Sequence, residues 1–169
     1  HGAASMDESS EPTLLDSSFN NDPVVFDTAS IQVSEIVELA SANGAMVLLV
    51  LDTCYSGAAR SSMQWFEGKR HLRPVSSEPA SARATYWMAT GPNQMSAPLD
   101  FVPHGAFTYF VVGALRGWAD GELSGHSDGE VTLDEAHAYV GRSLRQLQIR
   151  DQTPQLSGDA KQIVFSKGG

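Results

Sequence analysis

The chain has 169 residues, of which 41% are hydrophobic, and its formal net charge at pH 7 is −9. This length and composition suit one domain with a packed core, and they exclude a disordered or fibrous chain. The negative charge argues against a nucleic-acid or anionic-membrane surface, because either would need a basic face. The longest apolar run, residues 45–51, is too short to cross a bilayer. We therefore expect a globular protein with no nucleic-acid partner and no membrane partner.

Cys54 is the single cysteine of the chain. It cannot form a disulfide within the chain, so nothing in the sequence requires an oxidising compartment, and we expect a cytoplasmic protein. A lone cysteine can be a buried apolar residue, a redox site or a nucleophile. Taken alone, the residue favours the first of these, because free cysteines are commonly buried.

The first half of the chain contains one predicted helix and one predicted strand. Residues 1–30 are rich in Ser, Asp, Asn and Pro and are predicted to be mostly loop. A helical spacing of apolar residues follows, and 43–44 (Asn-Gly) is a typical helix stop; the apolar residues are Val33, Ile36, Val37 and Ala40. Residues 46–51 are continuously apolar, which is typical of a strand covered on both faces, as in a parallel sheet. A helix, a short link and a buried strand predict an α/β unit.

The second half begins with residues 58–84, which hold five of the eleven basic residues and predict an exposed loop. Residues 85–90 are rich in aromatic and β-favouring types and predict a strand that 91–93 (Gly-Pro-Asn) ends. A helix is predicted from Gly105 to about Trp118 because four apolar residues have helical spacing: Phe107, Phe110, Val111 and Ala114.

Residues 132–135 (Thr-Leu-Asp-Glu) have the form of a capping box, which predicts the start of another helix. An apolar stripe continues behind it at Leu133, Ala136, Val140, Leu144 and Leu147. Residues 162–166 predict a final strand, and we expect it to join 46–51 and 85–90 in a parallel sheet. The predicted class is thus α/β, with a mostly parallel sheet flanked by helices.

The run 52–57 (Asp-Thr-Cys-Tyr-Ser-Gly) places Cys54 just beyond the predicted buried strand. A nucleophile there is held by the sheet and faces solvent at its carboxyl edge, and small neighbours let a peptide approach. The thiol needs a base, and His1, followed by Gly2, is the one histidine that precedes it.

At these residues the chain resembles the caspase-like cysteine peptidases, closest to metacaspases and their bacterial relatives. Those enzymes carry His-Gly after one parallel strand and Asp-x-Cys-x-Ser-Gly after the next, about fifty residues later. Further segments also resemble this family: 91–97, 105–109, 128–135 and 153–156. The resemblance implies a caspase-like (caspase-hemoglobinase) fold and a cysteine endopeptidase that acts on proteins or peptides.

The roles of the catalytic residues come from this resemblance. Cys54 would attack the scissile carbonyl, and His1 would exchange protons with the thiol and the leaving amine. The backbone N–H groups of Gly2 and Cys54 would form the oxyanion hole. The alternative is a catalytically silent domain that serves interaction or regulation. His1 could also be a remnant of a terminal tag.

The resemblance also implies a substrate preference. Asp52 matches the acid of the metacaspase Asp-x-Cys motif and would bind Arg or Lys before the scissile bond. Ala89, Thr90 and Gly91 would pair with the substrate backbone as an added strand. Pro98 replaces an acid often found in metacaspases, so the pocket can differ. Asp52 could instead cap a turn at the end of its own strand.

The family domain begins with strands and helices before the catalytic His, so the chain resembles the C-terminal portion of one catalytic domain. Its expected divisions are 1–57 with the catalytic segments, 58–84 as a linker loop and 85–169 as a small-subunit-like part. We expect a preceding segment or a separate chain to pair beside the strand 46–51. A protease for basic residues would meet Lys69, Arg70 and Arg73 in its own linker, which predicts self-cleavage there; the alternative is a loop that is never cut.

Residues 128–135 resemble the second half of an EF-hand loop. Ser124 and His126 would occupy its first ligand positions and are poor calcium ligands, so a turn leading into a capped helix is the preferred interpretation. No zinc spacing or phosphate loop is present in the sequence, and it requires no cofactor. The resemblance leaves Ca²⁺ activation open, because some metacaspases use calcium.

Overall fold

The computed structural model describes residues 2–4, 12–15, 29–53, 83–91, 94, 96–99 and 102–168. In these ranges the chain is a mixed α/β protein with three α-helices and four small sheets. None of the described helices has the length and apolar character that a bilayer crossing requires.

The central sheet has the strand order β4-β5-β9. Its strands are β4 (Val47–Leu51), β5 (Ala84–Met88) and β9 (Gln155–Ser157). β4 and β5 run parallel, so the predicted strands at 46–51 and 85–90 and their parallel pairing are confirmed. β9 runs antiparallel on the other edge of β5, and the sheet is therefore mixed.

The prediction that residues 162–166 join this sheet is wrong. They form β10 (Ile163–Ser166), which pairs antiparallel with β8 (Glu130–Thr132) in a separate two-stranded sheet. β9 already occupies the second edge of β5, and the backbone then turns at Gly158, whose φ is +121°. A strand that follows this turn has no free edge of β5 to join.

Residues 1–30 were predicted to be mostly loop, but most of those that the structure describes lie in short strands. β1 (Gly2–Ala4), β2 (Pro12–Leu15) and β3 (Ser30–Gln32) form an antiparallel sheet in the order β1-β2-β3. Strands this short carry almost no alternation of apolar and polar residues, and interstrand hydrogen bonds stabilise them instead. Sequence patterning therefore does not detect them.

One face of the central sheet packs on α1 (Val33–Ser41), which confirms the first predicted helix. Val33 and Val37 of this helix are buried together with Leu51, Tyr86 and Met88 of the sheet. Gly44, with φ at +79°, follows the helix in the left-handed conformation expected of a helix stop.

The opposite face packs on α2 (Ala106–Gly113), its continuation as a π-helical turn (Ala114–Trp118), and α3 (Leu133–Gln146). Trp87 of β5 is fully buried here and meets Phe107 edge to face, with ring centroids 5.6 Å apart. Leu48 of β4 packs on this cluster, whereas Leu49 packs on the α1 side. The two faces explain the continuous apolar run of β4.

The capping box at the start of α3 is confirmed, since Thr132 and Glu135 exchange hydrogen bonds. The apolar stripe behind it is buried at Leu133, Ala136, Val140 and Leu144. Leu147 departs from the expectation and is 43% exposed, because it lies beyond the last residue of the helix.

A two-stranded antiparallel sheet, β6 (Pro98–Leu99) and β7 (Val102–Gly105), leads directly into α2. The backbone N–H of Ala106 donates to the carbonyl of Ala97 at 2.8 Å. The start of α2 is thereby attached to the segment that follows β5.

Candidate functional site

Asp52 lies at the carboxyl edge of the central sheet, directly after β4. Leu51 pairs with Met88, so the parallel strands β4 and β5 end side by side. The residues that follow both strands share this edge, where α/β sheets commonly bind ligands. Asp52 is partly buried there.

The Asp52 carboxylate accepts three hydrogen bonds from two other segments. The Ser96 hydroxyl donates to Oδ1 at 2.5 Å. The Thr108 hydroxyl donates to Oδ2 at 2.5 Å, and the Thr108 backbone N–H donates to the same oxygen at 3.2 Å. Short bonds to an ionised acceptor are among the stronger hydrogen bonds in proteins, so this carboxylate is held in one orientation.

Thr108 is the third residue of α2, whose N-cap, Gly105, has no side chain to accept a hydrogen bond. Asp52, which directly follows β4, supplies that acceptor and receives a hydrogen bond from one of the free N–H groups at the helix start. Its negative charge also lies where the helix dipole favours an anion. The hydrogen bonds described for Asp52 thus cap a helix rather than a turn at the end of its own strand.

The close contact between the Asp52 carboxylate and the start of α2 requires a glycine at position 105. A Cβ atom built on Gly105 would overlap Asp52 Oδ2, because the carboxylate lies directly against the backbone at the N-cap. The backbone φ of Gly105 is −62°, which any residue can adopt. The constraint at this position is therefore space and not backbone conformation.

Two glutamine side chains hold the segment that carries Ser96. Gln94 Oε1 accepts from the N–H groups of Gly91 and Thr153, both at 2.9 Å, and Gln94 Nε2 donates to Thr153 Oγ1 at 3.1 Å. Gln152, which is 4% exposed, accepts from the Ala97 N–H at 2.9 Å. Gln94 and Ala97 are thereby attached to residues 152–153, and Ala97 is also attached to the start of α2.

The residues expected to pair with a substrate strand have partners within the chain. Ala89 is fully buried and its N–H donates to the Leu51 carbonyl at 2.8 Å, while the Gly91 N–H donates to Gln94. Thr90 is 5% exposed. A substrate strand at 89–91 would need groups other than the Ala89 and Gly91 N–H, and this pairing stays a prediction.

The other predicted site residues fall largely outside the described ranges. These are His1, Cys54, Lys69, Arg70 and Arg73, and with them most of the expected linker 58–84. The backbone of Gly2 lies in β1, where it pairs with Leu14. Thr53, next to Cys54, has a buried hydroxyl with no hydrogen-bond partner in the described part of the chain.

The sequence favoured a turn leading into a capped helix at 128–135, and in the structure a turn is followed by β8 and the capped helix α3. The Asp120 carboxylate accepts from the N–H groups of Asp128 at 2.9 Å and Gly129 at 3.1 Å, and Asp128 accepts from the Glu130 N–H at 2.9 Å. These acids are used to stabilise a turn. Across the described ranges, no three His, Cys, Asp or Glu side chains group in a way that could hold a metal ion.

Sequence reasoning did not assign a role to Ser96, Thr108, Gln94 or Gln152. Thr108 could have been suspected, since it is the third residue after a glycine that cannot cap its own helix. The contact between Asp52 and Ser96 spans 44 residues and has no local signal. The same applies to Gln152, which is 55 residues from Ala97.

The chain was compared with models of known protein families and with curated protein sequences, and neither comparison found a match.

The contact between Asp52 and Gly105 predicts non-additive stability changes. Gly105→Ala should lower the free energy of unfolding by about 2 kcal/mol, because the new methyl group overlaps the carboxylate. Asp52→Ala should cost a similar amount, since it removes the acceptor of three hydrogen bonds. The double variant should be more stable than the sum of the single changes implies, by about 1 kcal/mol or more, because loss of the carboxylate also removes the overlap.

Chemical denaturation of the four proteins measures this cycle. Gly168→Ala is the matched control, since a Cβ there meets no other atom within 4 Å, and it should leave stability unchanged. Strictly additive effects of the two changes would contradict the described packing.

Proposed function

We propose that the chain is the catalytic portion of a caspase-like cysteine endopeptidase that cuts after Arg or Lys. The observation that carries the proposal is the position of Asp52, whose carboxylate is fixed by Ser96 and Thr108 at the sheet edge. Cys54 follows it by two residues, and the run 52–57 matches the motif of that family. A nucleophile beside a fixed acid, just past a parallel strand of the central sheet, suits peptide hydrolysis with selection for a basic residue.

In this proposal Cys54 and His1 act as a pair. His1 takes the thiol proton, and the thiolate attacks the carbonyl carbon of the scissile bond. The negative oxygen of the tetrahedral intermediate accepts hydrogen bonds from the N–H groups of Gly2 and Cys54. The C–N bond then breaks as His1 returns the proton to the leaving amine. Water hydrolyses the remaining thioester and frees the thiol.

Asp52 would recognise the basic side chain of the substrate. An ionised carboxylate has about four acceptor positions, and the three hydrogen bonds described here leave room for a further donor. Because Asp52 is only partly buried, a guanidinium or ammonium group could reach it from solvent. The fixed orientation of the carboxylate would favour a defined pairing over a diffuse attraction.

The alternative is a catalytically silent domain. The hydrogen bonds of Asp52 also stabilise the start of α2, so the fold would need this residue even without a substrate. Tests must therefore separate the effect of Asp52 on stability from its effect on substrate choice. The lone cysteine requires no oxidising compartment, and we propose a cytoplasmic location for the enzyme.

Replacement of Cys54 tests the nucleophile. Cys54→Ala should reduce hydrolysis of an Arg-terminated fluorogenic peptide by several orders of magnitude, because no covalent intermediate can form. A chloromethyl ketone with a terminal Arg should add its mass to the wild-type chain at Cys54 and not to the variant. Robust hydrolysis by Cys54→Ala would refute the assignment, and an inert wild-type chain would favour the silent domain.

The same two proteins test self-cleavage. Intact-mass measurements during long incubation, with and without Ca²⁺, should show cuts after Lys69, Arg70 or Arg73 in the wild type and none in Cys54→Ala. A wild-type chain that hydrolyses peptides yet stays whole would support the uncut loop.

Replacement of Asp52 tests substrate choice. Asp52→Asn keeps an oxygen for the Thr108 N–H and places an amide beside Ser96, so the fold should tolerate it. It should lower kcat/KM for a peptide ending in Arg by about tenfold or more, through loss of a charge-assisted pair.

A peptide ending in citrulline is the matched control substrate, because it has nearly the shape of Arg but no charge. Its hydrolysis should change little in Asp52→Asn. Equal losses for both peptides would reduce Asp52 to a structural role, and a wild-type preference for Asp before the cut would refute the proposed specificity.

A further inference from the structure

A cavity of about 500 Å³ lies between the second half of α3 and residues 149–154. Three residues of α3, spaced one helical turn apart, line the cavity: His137, Gly141 and Arg145. Gly141 has no side chain, and a Cβ built there would lie 3.3 Å from Arg145 Nη1. Arg145 therefore folds back over the space that the glycine leaves open.

The cavity is basic although the chain carries a net charge of −9. Among the described residues, its lining includes Arg145 and Arg150 and no acidic side chain. The ion pairs formed within the described ranges are Arg142 with Glu122 and Lys161 with Asp134. Arg145 and Arg150 form neither a side-chain hydrogen bond nor an ion pair there, so both guanidinium groups are free to bind an anion.

Gln152 provides an independent indication of a ligand. Its Oε1 must face the Ala97 N–H, because that donor requires an acceptor, and this orients the amide. Nε2 then points the other way, is buried, and has no hydrogen-bond partner in the described part of the chain. Gln152 itself is 4% exposed and lines the cavity. A buried donor without an acceptor is costly, and because Nε2 has almost no accessible surface, a ligand oxygen would satisfy it once the amide turns toward the cavity.

His137 completes the polar part of the lining. Its Nδ1 is buried without a partner among the described residues, and its ring lies 6.1 Å from that of Trp87. Burial lowers the pKa of His137, and the negative charge of Asp134 opposes this only in part. A bound anion would add to the effect of Asp134 and raise this pKa.

We propose that this cavity binds a small organic oxyanion, whose carboxylate or phosphate head contacts Arg145, Arg150 and the Gln152 amide. The volume is much larger than such a head requires and lies within the range of small-molecule sites. Ile149 and Pro154, which also line the cavity, suit an apolar body attached to the head. This site is separate from the edge of the sheet where Asp52 lies, and its existence does not depend on peptidase activity.

Calorimetry on the whole chain at physiological salt tests binding with four probes. Benzoate has a carboxylate on a phenyl ring, and phenyl phosphate has a phosphate on the same ring. The probe that binds more tightly shows which anionic group the cavity prefers. Benzylamine reverses the charge and should not bind, and inorganic phosphate should bind more weakly than phenyl phosphate. The proposal fails if neither aromatic anion binds, if benzylamine binds as well as they do, or if inorganic phosphate binds as tightly as phenyl phosphate.

Variants locate the binding in this cavity. Arg145→Gln and Arg150→Gln should each weaken binding of the preferred anion by about tenfold, the effect of losing one charge-assisted pair. Arg116→Gln removes an exposed arginine that is not part of the lining and should change nothing. Equal effects of all three would show a general charge effect and overturn the site.

Gly141→Leu is a blocking variant that should keep the fold, because leucine is a better helix former than glycine. It should abolish binding while thermal stability is kept or raised. In the wild type, NMR titration should show the pKa of His137 rising when the anion is bound. Unchanged binding in Gly141→Leu, or a His137 pKa that ignores the anion, would place the ligand elsewhere and refute the proposal.

Discussion

The Asp52 carboxylate joins three segments that are far apart in the sequence: the end of β4, the segment around Ser96, and the start of α2 at Thr108. Hydrogen bonds to a charged group contribute about 1.5–3 kcal/mol each where they are shielded, and less where water competes, as at the exposed Thr108. β6, β7 and the start of α2 lie in the sequence between these two partners of Asp52, so its hydrogen bonds connect both ends of this part of the chain to the end of β4. Gly105 leaves the space that the carboxylate needs.

The same arrangement shapes the candidate site. A carboxylate that selects a cationic substrate must be oriented before the substrate arrives, and Ser96 and Thr108 provide that orientation. The segment that carries Ser96 is in turn attached to Gln152 through Ala97. Gln152 also lines the basic cavity beside α3, so one buried amide adjoins both the proposed ligand cavity and the segment that holds Asp52. Changes at Gln152 would therefore be felt at both places.

Local patterns predicted the elements whose signal is periodic. The apolar run 46–51 became β4, and the strand at 85–90 became its parallel neighbour, because residues that pack on both faces of a sheet give a continuous apolar signature. The pattern did not reveal which edge a strand joins: β9 is short and only partly buried, yet it occupies the edge that was expected for 162–166. The partners of Asp52 were missed for a related reason. Ser96 is 44 residues away in the sequence, and local sequence patterns do not predict contacts over such a separation. Asp52 was singled out because it adjoins Cys54 in a short motif, and its role toward a substrate stays a prediction.

A crystal structure of the chain covalently bound to a peptide ketone with a terminal Arg would show whether Asp52 binds the basic side chain of a substrate. We expect the ketone-derived carbon to be bonded to Cys54 Sγ and the guanidinium to lie within hydrogen-bond distance of Asp52. Ser96 and Thr108 should keep their hydrogen bonds to the carboxylate in that complex. A guanidinium paired elsewhere, with Asp52 still bound by Ser96 and Thr108, would show that the carboxylate serves the fold alone and does not select the substrate.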